Sequence, residues 1–192
     1  MPRSTKSPAF LTGQFLIAMP GMLDPRFQRS VVYICAHNED GAMGLVINKL
    51  FGSITFRDLS EQLELPAPTP AVGRTPVHYG GPVESGRGFV LHTADYVRDG
   101  TLVVNEDIAL TATIDILRAM GEERGPKQSL LLLGYAGWGP GQLDSEIQAN
   151  GWLNAPCDTG ILFDDDLEGK WERAIGLLGV SLSMLSQEAG HA

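Results

Sequence analysis

A few side chains in this 192-residue chain have the types and spacing to do chemistry. Asp24 and Arg26 bracket a proline in the turn signal Leu23-Asp24-Pro25-Arg26, as polar groups that could converge in a cleft on a ligand. Cys35 and His37 alternate at period two, which puts both on one side of a strand. A Cys–His nucleophilic dyad would need a third, orienting group. Zinc would need two further ligands, and no Cys-x-x-Cys or His-Glu-x-x-His supplies them, so no metal is expected. A strand-end histidine satisfied by local hydrogen bonds is the plainer reading. Gln142 and Glu146 stand one helical turn apart on one face, as a polar pair for a ligand or as a solvated hydrogen-bonded pair. Arg87 could clamp a carboxylate or phosphate, or an internal acid such as Glu84.

The glycines form the other group. Leu130 to Gln142 reads strand, glycine-rich loop, helix, the arrangement whose backbone N–H groups cradle anions. The Lys and Ser/Thr of a phosphate loop are missing. No Lys or Arg occurs between Lys127 and Lys170, and Asp144 and Glu146 already occupy the helix start. A tight packing turn seating Trp138 is the preferred reading. Gly80-Gly81-Pro82 implies backbone angles or a close approach that other residues cannot adopt. Asp164-Asp165-Asp166 with Glu168 lacks the alternation and glycine of a calcium loop and reads as a helix start. No Gly-x-Ser-x-Gly elbow occurs, and no cofactor is expected.

These groups need a scaffold. Gln14–Met19, Ser30–Ala36 and Ala42–Asn48 read as strands, the last two joined as a hairpin by His37–Gly41. A short helix follows Thr55, with Phe56, Leu59 and Leu63 on one face, Thr55 as N-cap and Asp58 completing a capping box. Pro66 to Pro76 reads as a surface loop. Val77–Gly81, Gly88–His92 and Thr101–Asn105 are short strands, and Leu110–Met120 is the clearest long helix. Ser129–Tyr135 is a buried strand, Leu143–Ala149 a helix closed by Asn150-Gly151, and Trp171, Ala174, Ile175 and Leu178 mark a last helix. The pattern predicts one α+β domain with a largely antiparallel sheet, spanning 13–186 between a flexible leader (1–12) and a flexible tail (187–192).

Composition sets the outer limits. Fourteen Lys and Arg against 23 Asp and Glu leave a net charge of −9, which argues against direct nucleic-acid binding because that draws its affinity from neutralised phosphates. Two cysteines 122 positions apart are no disulfide framework, and no apolar stretch reaches membrane-spanning length, so a cytoplasmic protein off the membrane is expected.

Phe15-Leu-Ile-Ala-Met-Pro-Gly-Met-Leu-Asp-Pro-Arg-Phe27 followed by Ser30-Val-Val-Tyr-Ile-Cys-Ala-His37 resembles the opening of the AlgH/YqgE family of bacterial proteins. Gly41–Asn48, Tyr79–Val83, Arg87–His92, Gly134–Trp138, Gln142-Leu143 and Trp171 with Ala174 continue the pattern in order. The departure is Ala36, where the pattern has an acidic residue before the histidine. The resemblance implies a branched sheet curled into a pseudo-barrel with helices packed outside. It implies no established catalytic residues. Some members carry the label of transcriptional regulator, linked to alginate production, and family genes often neighbour that of a Holliday-junction-resolvase-like nuclease.

Two functions fit. One is a non-catalytic binding or regulatory module acting on an unknown protein or small ligand. The other is a small-molecule, hydrolase-like enzyme with a polar cleft around Asp24, His37, Arg87 and Glu146. The candidate ligand-binding residues are Asp24, Arg26, His37, Asn48, Gly80, Gly81, Arg87, Trp138, Gln142 and Glu146. Convergence of Asp24, His37, Arg87 and Glu146 on one pocket would favour the enzyme.

Overall fold

Apolar residues at period two on three consecutive strands decide the centre of the molecule. Strands β1 (Gln14–Ala18), β2 (Val31–Asn38) and β3 (Gly41–Val46) form an antiparallel meander. Phe15, Ile17, Val31, Tyr33, Cys35 and Leu45 point into one core, and Leu16, Ala18, Val32, Ile34 and Val46 into another. A sheet covered on both sides explains why these strands read as nearly unbroken apolar runs. The hairpin is tighter than the expected five-residue turn, since β2 runs on through Asn38 and only Glu39 and Asp40 turn the chain.

The computed structural model describes residues 10–189, with side chains to residue 185. Most of the expected leader, the end of the expected tail and His191 therefore lie outside the described residues. Within the expected leader Leu11 is buried, and its N–H donates to His37 Nδ1 at 2.9 Å.

The sheet continues through β4 (Leu50–Thr55), β5 (Pro76–Tyr79), β6 (Val83–Thr93), β7 (Thr101–Val103), β8 (Ile108–Thr111), β9 (Ser129–Trp138) and β10 (Trp152–Pro156). Its main path is β10-β1-β2-β3-β9-β6-β8-β7, with β5 joining β9 in parallel and β4 pairing β5. The result is a single α+β domain built on a curled, largely antiparallel half-barrel. That agrees with the class predicted from the sequence and the architecture implied by the resemblance.

Helices cover both faces. Helix α1 (Phe56–Gln62) has the expected capping box, in which the Asp58 carboxylate accepts the Thr55 N–H at 2.9 Å. A four-residue helix, α2 (Pro70–Gly73), sits inside the expected proline loop, started by a proline where no N–H is needed. Helix α3 (Ile114–Gly121) packs with α1 over Val77, Val90, Leu131 and Leu133. Helix α4 (Gln142–Gln148) seats Leu143 against Trp138 and Trp152. Helices α5 (Thr159–Phe163), α6 (Leu167–Gly176) and α7 (Leu182–Ala189) close the face that carries Phe15 and Tyr33, with Trp171, Ala174 and Ile175 packed inward.

Three sequence expectations need correction. The helix marked by Trp171 ends at Gly176, short of Leu178, and α7 follows it, so it is not the last. Leu110 and Thr111 are not helical: Leu110 pairs with Leu91 on one side and Leu102 on the other, and the helix starts only after Thr113. The i, i+4, i+7 spacing of Leu110, Ile114 and Leu117 imitates a helical face, but two flanking strands claim the backbone of Ile108–Thr111. The segment Ala136–Trp138, just past the expected strand Ser129–Tyr135, is not a loop either. It prolongs β9 and pairs with β3, Ala42 opposite Trp138. The glycines on either side, Gly80, Gly81 and Gly134, serve a crossing of backbones. A Cβ on Gly80 would meet the Gly134 carbonyl oxygen at 2.2 Å, and one on Gly81 would meet Tyr135 carbonyl carbon at 2.1 Å.

Candidate functional site

The turn between β1 and β2, the end of β9 and helix α4 enclose one cleft of about 680 Å³. Met22, Asp24, Arg26 and Phe27 line it from the turn, and Trp138, Gln142, Glu146 and Trp152 from the opposite wall. The turn owes its shape to Asp24, whose Oδ1 accepts the Arg26 N–H at 3.0 Å. The Arg26 guanidinium folds back on the same carboxylate, Nη2 to Oδ2 at 2.7 Å, and its Cζ lies 5.6 Å from the Phe27 ring centroid. That hydrogen-bonded guanidinium holds the Asp24 carboxyl below the usual carboxylate range.

On the other wall a relay of hydrogen bonds orients Glu146. Gly139 N–H donates to Gln142 Oε1 at 2.9 Å, and Gln142 Nε2 donates to Glu146 Oε2 at 3.0 Å. Trp152 Nε1 donates to Glu146 Oε1 at 3.3 Å. The helical-turn spacing of Gln142 and Glu146 thus gives a direct contact. Trp152 stacks edge-on against both Phe27 and Trp138, at 5.7 and 6.0 Å between centroids.

A second cleft, also about 680 Å³, adjoins the first and shares Val83, Gly137 and Trp138 with it. Arg87 lines this one. Its Nη1 lies 3.3 Å from Glu84 Oε2, so the internal partner considered from the sequence is the one it takes, and its Cζ lies 5.1 Å from the Phe89 ring.

The remaining candidates lie elsewhere. His37 lines neither cleft. It is buried, accepts the Leu11 N–H and meets Phe10 edge-on at 5.2 Å, which is the locally satisfied histidine. Asn48 spans a hairpin, its Oδ1 accepting the Val31 N–H and its Nδ2 donating to Arg29 carbonyl oxygen. It lines a separate hollow beside Arg29, Lys49 and Trp171. Gly80 and Gly81 are consumed by the backbone crossing. Of the four groups whose convergence would favour an enzyme, Asp24 and Glu146 share a cleft, Arg87 stands in the next, and His37 is in neither.

Other titratable groups are structural. Burial lowers the pKa of His78 and His92, whose ring nitrogens bond to Leu131 carbonyl oxygen, Thr93 carbonyl oxygen and Thr111 Oγ1. Burial pushes the Cys157 thiol up to about 12. Among the described residues no three His, Cys, Asp or Glu side chains are grouped to hold a metal. Asp166 caps α6 by accepting the Gly169 N–H, and Asp164 pairs with Arg173 at 2.9 Å, so the acidic run is a helix start. No helix of the described residues is long and apolar enough to cross a membrane.

Met22, Phe27, Val83 and Trp152 also wall the first cleft, and none of them was a candidate by residue type. Trp152 was hidden because β10 carries no alternation strong enough to read, with a half-buried Leu153 and exposed Asn154 and Pro156 around buried Ala155.

A family model described as AlgH-like matches residues 15–183. A UPF0301 protein of Rhizobium rhizogenes is 52% identical over 196 residues, covering 99% of this chain and 97% of its own length. One from Rhodospirillum rubrum is 50% identical over 187 residues, covering 97% of each. The solution structure of the AlgH protein from Pseudomonas aeruginosa superposes with a TM-score of 0.79 at 44% identity, over 97% of this chain and 98% of that one. A crystal structure from Corynebacterium diphtheriae shares the fold, with a TM-score of 0.71 at 23% identity over 92% and 91% of the two chains.

Proposed function

Taking as premise that the chain belongs to the AlgH-like family, we propose that it is a non-catalytic binding module, regulatory in role, whose two adjoining clefts receive another protein or a small ligand. One observation carries this: the charged groups of the clefts are already engaged with their own neighbours. Asp24 holds Arg26, Glu84 holds Arg87, and Glu146 is tied to an amide and an indole. A general acid or base must be free to exchange a proton with substrate, and a nucleophile needs an adjacent base. No histidine or cysteine lines either cleft. The walls are apolar and aromatic, the composition of a recognition surface.

Any regulatory effect then runs through a partner rather than through duplex DNA. Among the described residues Arg26, Arg29, Arg57, Arg87, Arg118, Arg124 and Arg173 each lie beside a carboxylate, which supports this reading. A cytoplasmic setting fits the free thiols of Cys35 and Cys157.

A photo-cross-linking residue at Val83, shared by both clefts, tests the binding role against one at exposed Ile114. Adducts in living cells from position 83 and none from 114 are expected; equal yields or no adduct at 83 overturn the assignment. The hydrolase-like alternative keeps Asp24 and Glu146 in one cleft. Turnover of a small ester or amide that disappears in both D24N and E146Q would establish it instead.

A further inference from the structure

Glu146 differs from Asp24, the other acid of its cleft, and from Glu84, which lies outside the lining but pairs with Arg87 of the second cleft. Asp24 and Glu84 each have an arginine within ion-pair distance, whereas Glu146 has none among the described residues. Its two donors, Gln142 Nε2 and Trp152 Nε1, are neutral. They fix both carboxylate oxygens in place without cancelling the charge. A carboxylate has about four acceptor sites and these bonds use two. The carboxylate is half-buried and shares its cleft with Met22, Phe27, Trp138 and Trp152. An uncompensated charge costs more beside such walls than in open water. Arg26 also lines the cleft, but its guanidinium is held by Asp24, so the three charges there leave one negative charge over.

We propose that Glu146 is the recognition point for a cation, and that the occupant is an arginine side chain on a basic segment of a partner protein; this rests on the binding role assigned above. A planar guanidinium is weakly hydrated, can meet a carboxylate through two parallel N–H bonds, and packs well on aromatic rings. It would use the two acceptor sites that Gln142 and Trp152 leave open. The cleft is far larger than one side chain and continues past Val83 into its neighbour, so the flanking residues of the segment have apolar walls to lie on. The chain's net charge of −9 draws a basic segment and repels an acidic one.

The probe is the peptide acetyl-Gly-Leu-Arg-Leu-Gly-amide, titrated into 15N-labelled full-length protein. Matching peptides carry citrulline, the neutral isostere, or glutamate in place of arginine. Saturable shifts of the α4 amides and the Trp152 indole N–H are expected with the arginine peptide. Affinity should fall at least tenfold with citrulline and further with glutamate. Glu146→Gln should weaken the arginine peptide at least fivefold and leave the citrulline peptide unchanged, whereas Glu61→Gln, on α1 beside Arg57, should change neither. Equal binding of arginine and citrulline peptides to the cleft overturns the cation assignment while keeping the binding role. Arginine amide alone binding as tightly as the peptide overturns the protein segment as occupant. If no peptide moves the cleft resonances, the arginine assignment fails, and the cross-linking yield at Val83 decides separately whether the binding role stands. The citrulline comparison uses the unaltered protein, so it decides the matter even if E146Q does not fold.

Discussion

The sheet has two faces that solve the same problem differently. Under α6 a lysine is sealed in: Lys170 is fully buried, and its Nζ donates to Leu162 carbonyl oxygen at 2.7 Å and Ile47 carbonyl oxygen at 3.5 Å. Under α4 a glutamate stands half-buried at the wall of an open cleft, with two donors and access to water. Each face also has a tryptophan whose indole N–H is spoken for, Trp171 by Ala18 carbonyl oxygen at 2.8 Å and Trp152 by Glu146. The contrast teaches that burial, not the number of hydrogen bonds, sets what a polar group costs. Carbonyl dipoles do not replace the hydration of an ammonium, whereas the cleft leaves Glu146 within reach of solvent.

The largest effect should come from breaking the sealed side. Burial lowers the Lys170 pKa from 10.5 to about 8, only partly opposed by Asp164. Because the folded value is the lower, the unfolded chain binds more protons between pH 8 and 10.5, and this group makes stability rise with pH across that window. Below pH 8 both states are charged and the cost stands in full, about 3 kcal/mol. Lys170→Met should therefore be more stable than the parent at pH 7 in urea unfolding. That advantage should shrink as pH rises from 8 towards 10.5. A gap that is independent of pH would mean the ammonium is hydrated and the two faces are alike.

Next comes the matched pair W171F and W152F. Both lose ring volume, but only the first strands a buried carbonyl, since water can reach Glu146. Loss of stability at 171 should exceed that at 152 by about 1 kcal/mol, read from unfolding midpoints at constant slope. Equal losses would erase the contrast.

Smaller still is Asp24→Asn. The Asp24–Arg26 pair is largely exposed, and such pairs contribute about 0.2–1 kcal/mol. Since the folded Asp24 carboxyl titrates below 3.8, its contribution is complete above that pH and disappears as pH falls through the folded value. Parent and D24N should differ slightly at pH 6 and converge in strong acid. The smallest change is expected from E146Q, which should stay within about 0.5 kcal/mol of the parent in stability while losing the arginine peptide. A large destabilisation would recast Glu146 as a structural partner of Trp152.

Local signals carried much of this architecture. The unbroken apolar runs of β1 and β2, the Thr55–Asp58 capping box and the Gln142–Glu146 contact are each settled within a few residues, by strand propensity, helix start and helical pitch. Leu110 and the Ala136–Trp138 segment misled because their state depends on strands distant in the chain. Leu110 is held by Leu91 and Leu102, and Trp138 by Ala42. Helices α5 and α7 are short and had no periodicity long enough to detect. Of the ten candidate residues, five line the first cleft or its shared wall. His37, Asn48, Gly80 and Gly81 satisfy backbone or let it pass; the hydrogen-bonded His37 and the close approach at Gly80-Gly81 were legible in the sequence, while the bridging role of Asn48 was not.

The chain's own order thus determined its class, its acidic charge and the inventory of groups that could meet a ligand, because hydropathy, charge and capping are properties of neighbours in sequence. Only the tertiary structure decided that Glu146 would stand beside Trp152 and Trp138 across from Asp24, and that Lys170 would be shut away. Those outcomes follow from which strands pair and how the sheet curls. Water and counter-charge are distributed by three-dimensional proximity, and that is the quantity a linear pattern does not contain.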